Sequence, residues 1–202
     1  MTVISLLCAT VLGVIFGLFK VSDFKVLKLV ADVYIDIIRG TPLLVQVMIM
    51  MYGVGSVLKP YGFQWSNIGG AFTAGCVALS LNAGAYMAEI IRGGIEAVDK
   101  GQMEAARSLG MSWGQSMRHI IVPQATKHIL PALVNECIQV LKETAIAGYI
   151  ALDDLTRMGN IIRSRTFDAY TPFIVVAIIY FYTTTILSLF AERLEKRMRA
   201  SD

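Results

Sequence analysis

Residues 172–191 read PFIVVAIIYFYTTTILSLFA, twenty consecutive positions without a charge. That is the length a helix needs to cross the ~30 Å hydrocarbon core of a bilayer. Four other stretches approach it: residues 3–19, 41–58, 68–91 and 129–151, the last being the most polar. Hydrophobic residues make up 55% of the 202 positions and charged residues 16%, with a mean hydropathy of +0.61. A chain this short cannot hide so much apolar surface from water, so lipid must serve as solvent for much of it. A soluble enzyme, a disordered chain and a DNA-binding domain are excluded on that ground. The net charge of +3 is too small, and its basic residues too dispersed, to imply nucleic acid. The expected fold is an all-α integral membrane protein, one transmembrane domain over residues 1–202, with five helices and a long loop over residues 92–128.

The basic residues orient the spans. Lys20, Lys25, Lys28 and Arg39 lie between spans one and two. Arg92, Lys100, Arg107, Arg118 and Lys127 lie between three and four, and Arg193, Lys196, Arg197 and Arg199 follow span five. The opposite side holds Lys59, Arg157, Arg163 and Arg165. Cytoplasmic loops carry the excess of Lys and Arg, so the N-terminus is expected outside and the C-terminus in the cytoplasm. Span one does not read as a secretory signal: no charge precedes Val3, and lysines follow Phe19. Gly13 and Gly17 within it have the spacing of a close helix–helix approach. Cys8, Cys76 and Cys137 stand alone in apolar stretches, with no metal-ligand or disulfide spacing, and read as packing residues.

The 92–128 loop is long, and connections of that length are usually functional or disordered. Ile95, Val98, Ala105, Ala106 and Leu109 recur at amphipathic-helix intervals. Gly110 can end that helix in the left-handed conformation, Ser112 can cap a second helix running to about His119, and Pro123 is expected to stop it. Two readings fit: a helix lying on lipid, or a docking element for a cytoplasmic partner.

Glu104-Ala105-Ala106, three residues, Gly110, nine residues, then Ile120-Ile121-Val122-Pro123 resembles the EAA signature of ABC importer permeases. Val122 stands where that signature usually has leucine. The run GQMEAARSLGMSWGQSMRHIIVPQATKHILPAL is similar to the polar amino-acid uptake subfamily. So are Arg39-Gly40-Thr41-Pro42-Leu43-Leu44-Val45-Gln46 and Ala88-Glu89-Ile90-Ile91-Arg92-Gly93-Gly94. The resemblance implies a type I importer fold and a bacterial inner-membrane subunit. The helix of Glu104, Ala105 and Ala106 would be a coupling helix seated on the ATPase, turned by Gly110 and followed by Ile120 and Pro123. Arg39, Gly40, Thr41 and Pro42 would form the bend into span two, with cytoplasmic anchoring as the plain alternative for Arg39. The implied partners are two cytoplasmic ABC ATPases, a second permease subunit (identical or paralogous), an extracytoplasmic solute-binding protein and an amino acid. ATP and Mg would be used by the ATPase, because this chain has no G-x-x-x-x-G-K-[ST] phosphate loop. No metal or cofactor of its own is expected.

Gly110-Met111-Ser112-Trp113-Gly114 also fits the G-x-S-x-G nucleophile elbow, with His119 and His128 nearby. That elbow needs a strand-to-helix turn, and no strand pattern flanks it, so a membrane-embedded hydrolase ranks last. Polar groups at membrane depth concentrate in span four. There Asn135, Gln139 and Glu143 share a face, with Glu136 beside them and Gln46 and Asn82 on neighbouring spans. The stripe reads as the lining of a solute path or as polar glue between helices. Glu136, Glu143, Asp153 and Asp154 are opposed within the span only by Lys142, which favours a cationic solute. Asp153 and Asp154 also fit as helix caps or binding-protein contacts. The resemblance likewise leans toward arginine, lysine or histidine ahead of glutamine. An ion-driven secondary transporter or channel is the rival class, but the internal repeat typical of such folds is missing from the sequence.

Overall fold

The computed structural model describes residues 1–199; the last three positions of the expected domain lie outside the described residues, as do the side chains of Arg197 and Arg199. In chain order the helices are α1 (Thr2–Val21), α2 (Lys25–Arg39), α3 (Leu43–Met48), α4 (Gly55–Leu58) and α5 (Gly70–Glu96). They continue as α6 (Lys100–Ser108), α7 (Trp113–Ser116), α8 (Val122–Glu143), α9 (Leu155–Thr166) and α10 (Thr171–Arg199). Two π-helical segments, Ile49–Val54 and Met117–Ile121, interrupt the α-geometry, and no strand occurs among the described residues.

Four stretches are long and apolar enough to cross a bilayer: Thr2–Val21, Leu43–Tyr61, Gly70–Glu96 and Thr171–Arg193. The second is broken internally. Its π segment is pinned by Trp65, whose indole Nε1 donates to the Met50 carbonyl at 3.0 Å. The expected fourth span begins at Val122 instead of residue 129 and carries Pro131 in its interior. With Lys127, Glu136, Lys142 and Glu143 along it, α8 is not among these four stretches.

Helix α5 is the hub. It is rich in Ala and Gly, which let other backbones approach closely. Its tightest neighbour is α1: a Cβ on Gly13 would sit 2.5 Å from Met87 Cβ, and one on Gly17 would sit 3.1 Å from the Ala88 carbonyl oxygen. Ala9, Ala83, Met87 and Val140 form one buried cluster joining α1, α5 and α8. By contrast α10 leaves nearly all its apolar surface exposed.

Helix α2 departs from the expected plain basic connection. Leu27, Ala31, Tyr34, Ile35 and Ile38 fall at helical intervals, and Ala31 and Ile35 are completely buried against Ala85 and Ala88. Interleaved Lys25, Lys28, Asp32 and Asp36 interrupt the apolar run and hide this face from a search for spans. The Tyr34 hydroxyl donates to the Leu81 carbonyl at 2.6 Å, and burial pushes this phenol up to about 12.

Candidate coupling element and solute path

Asp99 caps α6 by accepting from the Gly101 amide at 2.7 Å. At the other end Gly110 adopts φ +85°, and the amides of Gly110 and Met111 donate to the carbonyls of Arg107 and Ala106. This paired pattern is a Schellman stop, which needs a residue able to take a positive φ. Ser112 then opens α7 with a reciprocal capping box with Gln115. Arg107 donates across the corner to the Met111 carbonyl at 2.9 Å. The expected sharp corner between two helices is therefore present, but the second helix does not stop near His119 and continues through the π segment into α8.

The expected apolar face of α6 is different. Ile95 belongs to the last turn of α5, and Val98 lies in the turn before α6. Of the EAA residues only Ala106 points inward, while Glu104 and Ala105 are exposed and Leu109 is 84% exposed. The buried side is built from Val98, Ile121 and Ala125, with Ile95, Met103, Met117, Ile120 and Ile129 around them. Leu109 and Trp113 thus present large apolar groups outward, beside Ala105. Pro123 also differs from expectation: it stops nothing, because helical backbone runs past it from the π segment Met117–Ile121 into α8.

At the bend into the second stretch, the Gln46 side-chain amide donates to the Ile38 carbonyl (2.6 Å), the Thr41 carbonyl (3.0 Å) and Thr41 Oγ1 (2.8 Å). Its oxygen accepts from Asn82 Nδ2 at 2.9 Å. Gln46 and Asn82 therefore meet each other, and Gln46 ties the Gly40–Pro42 corner to α5. Arg39 lies over the Tyr86 ring at 5.3 Å and 3.5 Å from Glu89. Glu89 also contacts Lys20 (2.7 Å) and Arg92 (2.8 Å), while Lys20 reaches Asp32 at 3.2 Å and Arg92 reaches Glu96. This cluster joins α1, α2 and α5. Nothing in the sequence pointed to it, because its members are separated by up to several helices. The only local signal was the Glu89–Arg92 spacing on one helix face.

On α8, Asn135, Gln139 and Lys142 are exposed, while Glu136 and Glu143 are partly buried. Among the described residues no cation pairs with Glu136 or Glu143, and Glu143 Oε2 is buried without a hydrogen-bond partner. Asp154 is a helix cap, accepting from the Thr156 and Arg157 amides, and Asp153 pairs with Arg157 at 3.0 Å. Of the four carboxylates around this span, two are thus occupied structurally and two make no ion pair among the described residues, although Lys142 acts electrostatically on Glu143. Beyond Glu143 a cavity of about 530 Å³ opens, lined by Tyr149, Thr156, Arg157 and Asn160 among others. Ser112 Oγ is used in the capping box between two helices, far from the strand-turn setting of a hydrolase nucleophile. His119 and His128 are exposed.

Comparison with known proteins gives a consistent result. The family described as binding-protein-dependent transport system inner membrane component matches residues 9–200. The arginine transport system permease protein ArtQ of Bacillus subtilis is 40% identical over 200 residues, covering 99% of this chain and 88% of that protein. A putative glutamine transport system permease protein of Rickettsia bellii is also 40% identical, with the same coverage. The crystal structure of an amino acid ABC transporter with histidines is 47% identical, with a TM-score of 0.87 over 97% of this chain and 88% of that one. The inward-facing methionine transporter MetNI is 18% identical with a TM-score of 0.80 over 98% and 91%, a likeness of fold alone.

Proposed function

This chain belongs to the family of binding-protein-dependent transport system inner membrane components, the permease subunits of type I ABC importers, and on that premise we propose that it carries basic amino acids inward across the bacterial cytoplasmic membrane. As a multi-pass membrane subunit it is not itself the catalyst. In this reading residues 1–202 form one transmembrane domain in which α8 supplies the fifth span, the N-terminus is outside and the C-terminus is cytoplasmic. The partners are two ATPases that consume ATP and Mg, a second permease subunit and an extracytoplasmic solute-binding protein. The surface of Glu104, Ala105 and Leu109, with Gly110 setting the turn and Ile120 and Pro123 leading into α8, docks on the ATPase. Asn135, Glu136, Gln139 and Glu143 line the path, and the Gln46–Asn82 pair braces its neighbouring helices.

The observation that carries the choice of substrate is the pair of partly buried carboxylates, Glu136 and Glu143, neither of which forms an ion pair among the described residues. An uncompensated carboxylate at membrane depth is costly unless a positive partner arrives. A guanidinium, ammonium or imidazolium side chain supplies one, and a neutral amide does not. The names of relatives support both arginine and glutamine, so the test compares those two. Uptake of radiolabelled arginine, lysine, histidine and glutamine is measured in vesicles holding the full complex and its binding protein. Basic substrates should be taken up and should compete with one another, and Glu136→Gln with Glu143→Gln should abolish that uptake while leaving basal ATP hydrolysis intact. Transport of glutamine alone, unaffected by both changes, would refute the assignment. Uptake that persists without ATP on a proton gradient would instead favour an ion-driven carrier.

A further inference from the structure

Among the described residues, the side-chain polar atoms buried with no hydrogen-bond partner are Glu143 Oε2, an acceptor, and Arg157 Nε, a donor. Asp153 lies 3.0 Å from that Nε, but the contact is an ion pair without hydrogen-bond alignment, and Asp153 is itself 69% exposed. Leaving buried polar groups unmade is costly, so each calls for an explanation. The two atoms flank one stretch of chain. Glu143 is the last residue of α8, the 3₁₀ segment Thr144–Ile150 follows, and Arg157 lies in the first turn of α9.

The local sequence holds Arg157 in place. Ala151 takes a left-handed conformation (φ 65°), and the Leu152 amide donates back to the Ala147 carbonyl, so the chain reverses after the 3₁₀ segment. Asp154 accepts from the Thr156 and Arg157 amides and so starts α9. Gly148 lets that first turn close on the segment: a Cβ there would sit 3.4 Å from Arg157 Cβ. Arg157 Nη1 donates to the Gly148 carbonyl at 3.3 Å. A guanidinium carries five N–H donors in a fixed fork, and these contacts leave part of the fork uncommitted.

Arg157 lines the cavity of about 530 Å³ beyond Glu143, a size within the roughly 300–1,000 Å³ of small-molecule sites. Tyr149, Thr156 and Asn160 line it too, and among the described residues no acidic side chain does. Asn160 gives its side-chain oxygen to Arg163 Nε at 2.9 Å, so the donors of its amide are what it can offer. The lining is therefore a set of donors around one positive charge, the chemistry that receives a carboxylate. Ala145, two residues past Glu143, is also in the lining, so the cavity adjoins the acidic end of α8.

We propose that Arg157 anchors the α-carboxylate of the transported amino acid, with Thr156 and Asn160 beside it, while the positive groups of the solute face Glu143 and Glu136. This rests on the permease reading above and deepens it. An α-amino acid carries its carboxylate whatever its side chain, so this subsite serves every substrate alike, and the choice among side chains belongs to α8. A cation with no carboxylate would satisfy Glu143 and leave Arg157 unmade.

The test is uptake by the full complex in proteoliposomes at saturating binding protein. Arg157→Gln should cut uptake of every amino acid that the wild type carries by a similar factor, about tenfold to a hundredfold, the scale of a hydrogen bond to a charged group. Arg157→Lys, which keeps the charge and loses the fork, should fall between that variant and wild type. Asp153→Asn separates anchoring from bracing, because it removes the ion pair and leaves the guanidinium; its uptake should stay within about twofold of wild type. If Arg157 merely braces α9, Asp153→Asn should lower uptake and melting temperature as much as Arg157→Gln does, and that result would overturn the proposal. Uptake by Arg157→Gln within about twofold of wild type would overturn it too. Should Arg157→Gln fail to assemble, Arg157→Lys decides: reduced uptake at an unchanged melting temperature supports the anchor, and unchanged uptake refutes it. Uptake of glutamine alone would remove the choice of basic substrates and leave the anchor standing, whereas a wild-type complex with no ATP-coupled uptake would sink the permease reading itself.

Discussion

Replacing Glu89 with glutamine should loosen the junction of α1, α2 and α5 by about 2–3 kcal/mol. Breaking a fully buried ion pair by removing one partner costs about 3–5 kcal/mol, while an exposed pair is worth about 1 kcal/mol or less. The Glu89 side chain is only 15% exposed and serves three cations, whose exposures run from 17% for Lys20 to 43% for Arg39. Glutamine preserves the shape but withdraws the charge. Lys20 keeps Asp32 and Arg92 keeps Glu96, so the loss falls below the buried limit; among the described residues Arg39 retains the face of Tyr86. At about 2–4 °C per kcal/mol for a chain of this size, the melting temperature of the purified complex should drop by about 5–10 °C. The double change with Lys20→Met should be clearly non-additive, because the two side chains touch. A shift under about 1 °C, or an effect erased by about 1 M salt, would show the cluster to be an ordinary solvated surface network.

Gly110→Val should strain the Schellman turn by about 1–2 kcal/mol and uncouple hydrolysis from uptake, since the position requires a positive φ; a variant with wild-type stimulated hydrolysis and transport would contradict the role of the corner. Gly13→Ala should cost about 1–3 kcal/mol in thermal stability through overlap with Met87, whereas Gly93→Ala, with no atom within 4 Å of the added carbon, should be neutral or slightly stabilising; equal melting points for the two would refute the close α1–α5 approach. Tyr34 is held protonated more tightly when folded, so its contribution is whole below its ordinary value near 10 and disappears as pH rises toward about 12. Tyr34→Phe should therefore flatten the alkaline fall in stability over that window, and an unchanged pH profile would count against the buried hydroxyl contact with Leu81.

The apolar runs were legible because lipid selects on length and polarity, and both are visible residue by residue. The Gly110 turn and the Ser112 cap were legible for a related reason: each is a local chemical requirement met by one residue type. Pro123 misled because proline usually ends a helix, whereas here helical backbone continues past it from the π segment. Helix α2 went unseen because its buried stripe is thin, two fully buried residues on a charged scaffold. The Glu89 cluster and the Gln46–Asn82 bond join residues on different helices, and one chain read alone carries no trace of which helices will touch. In α6 the small alanines were visible, but their division into Ala106 inward and Ala105 outward depends on where Val98 and Ile121 arrive.

The smallness of the residues on α5 has a consequence for biogenesis. A helix carrying this many alanines and glycines gains less from lipid than a leucine-rich one and more from fitting against a preformed groove. Its best partner, α1, carries the larger aliphatic side chains and leaves the ribosome earlier. The chain is thus written in an order that lets a self-sufficient segment enter the bilayer first and receive the dependent one later. Moving α1 to the C-terminus by circular permutation would reverse that order, and α5 would then reach the membrane before its tightest partner.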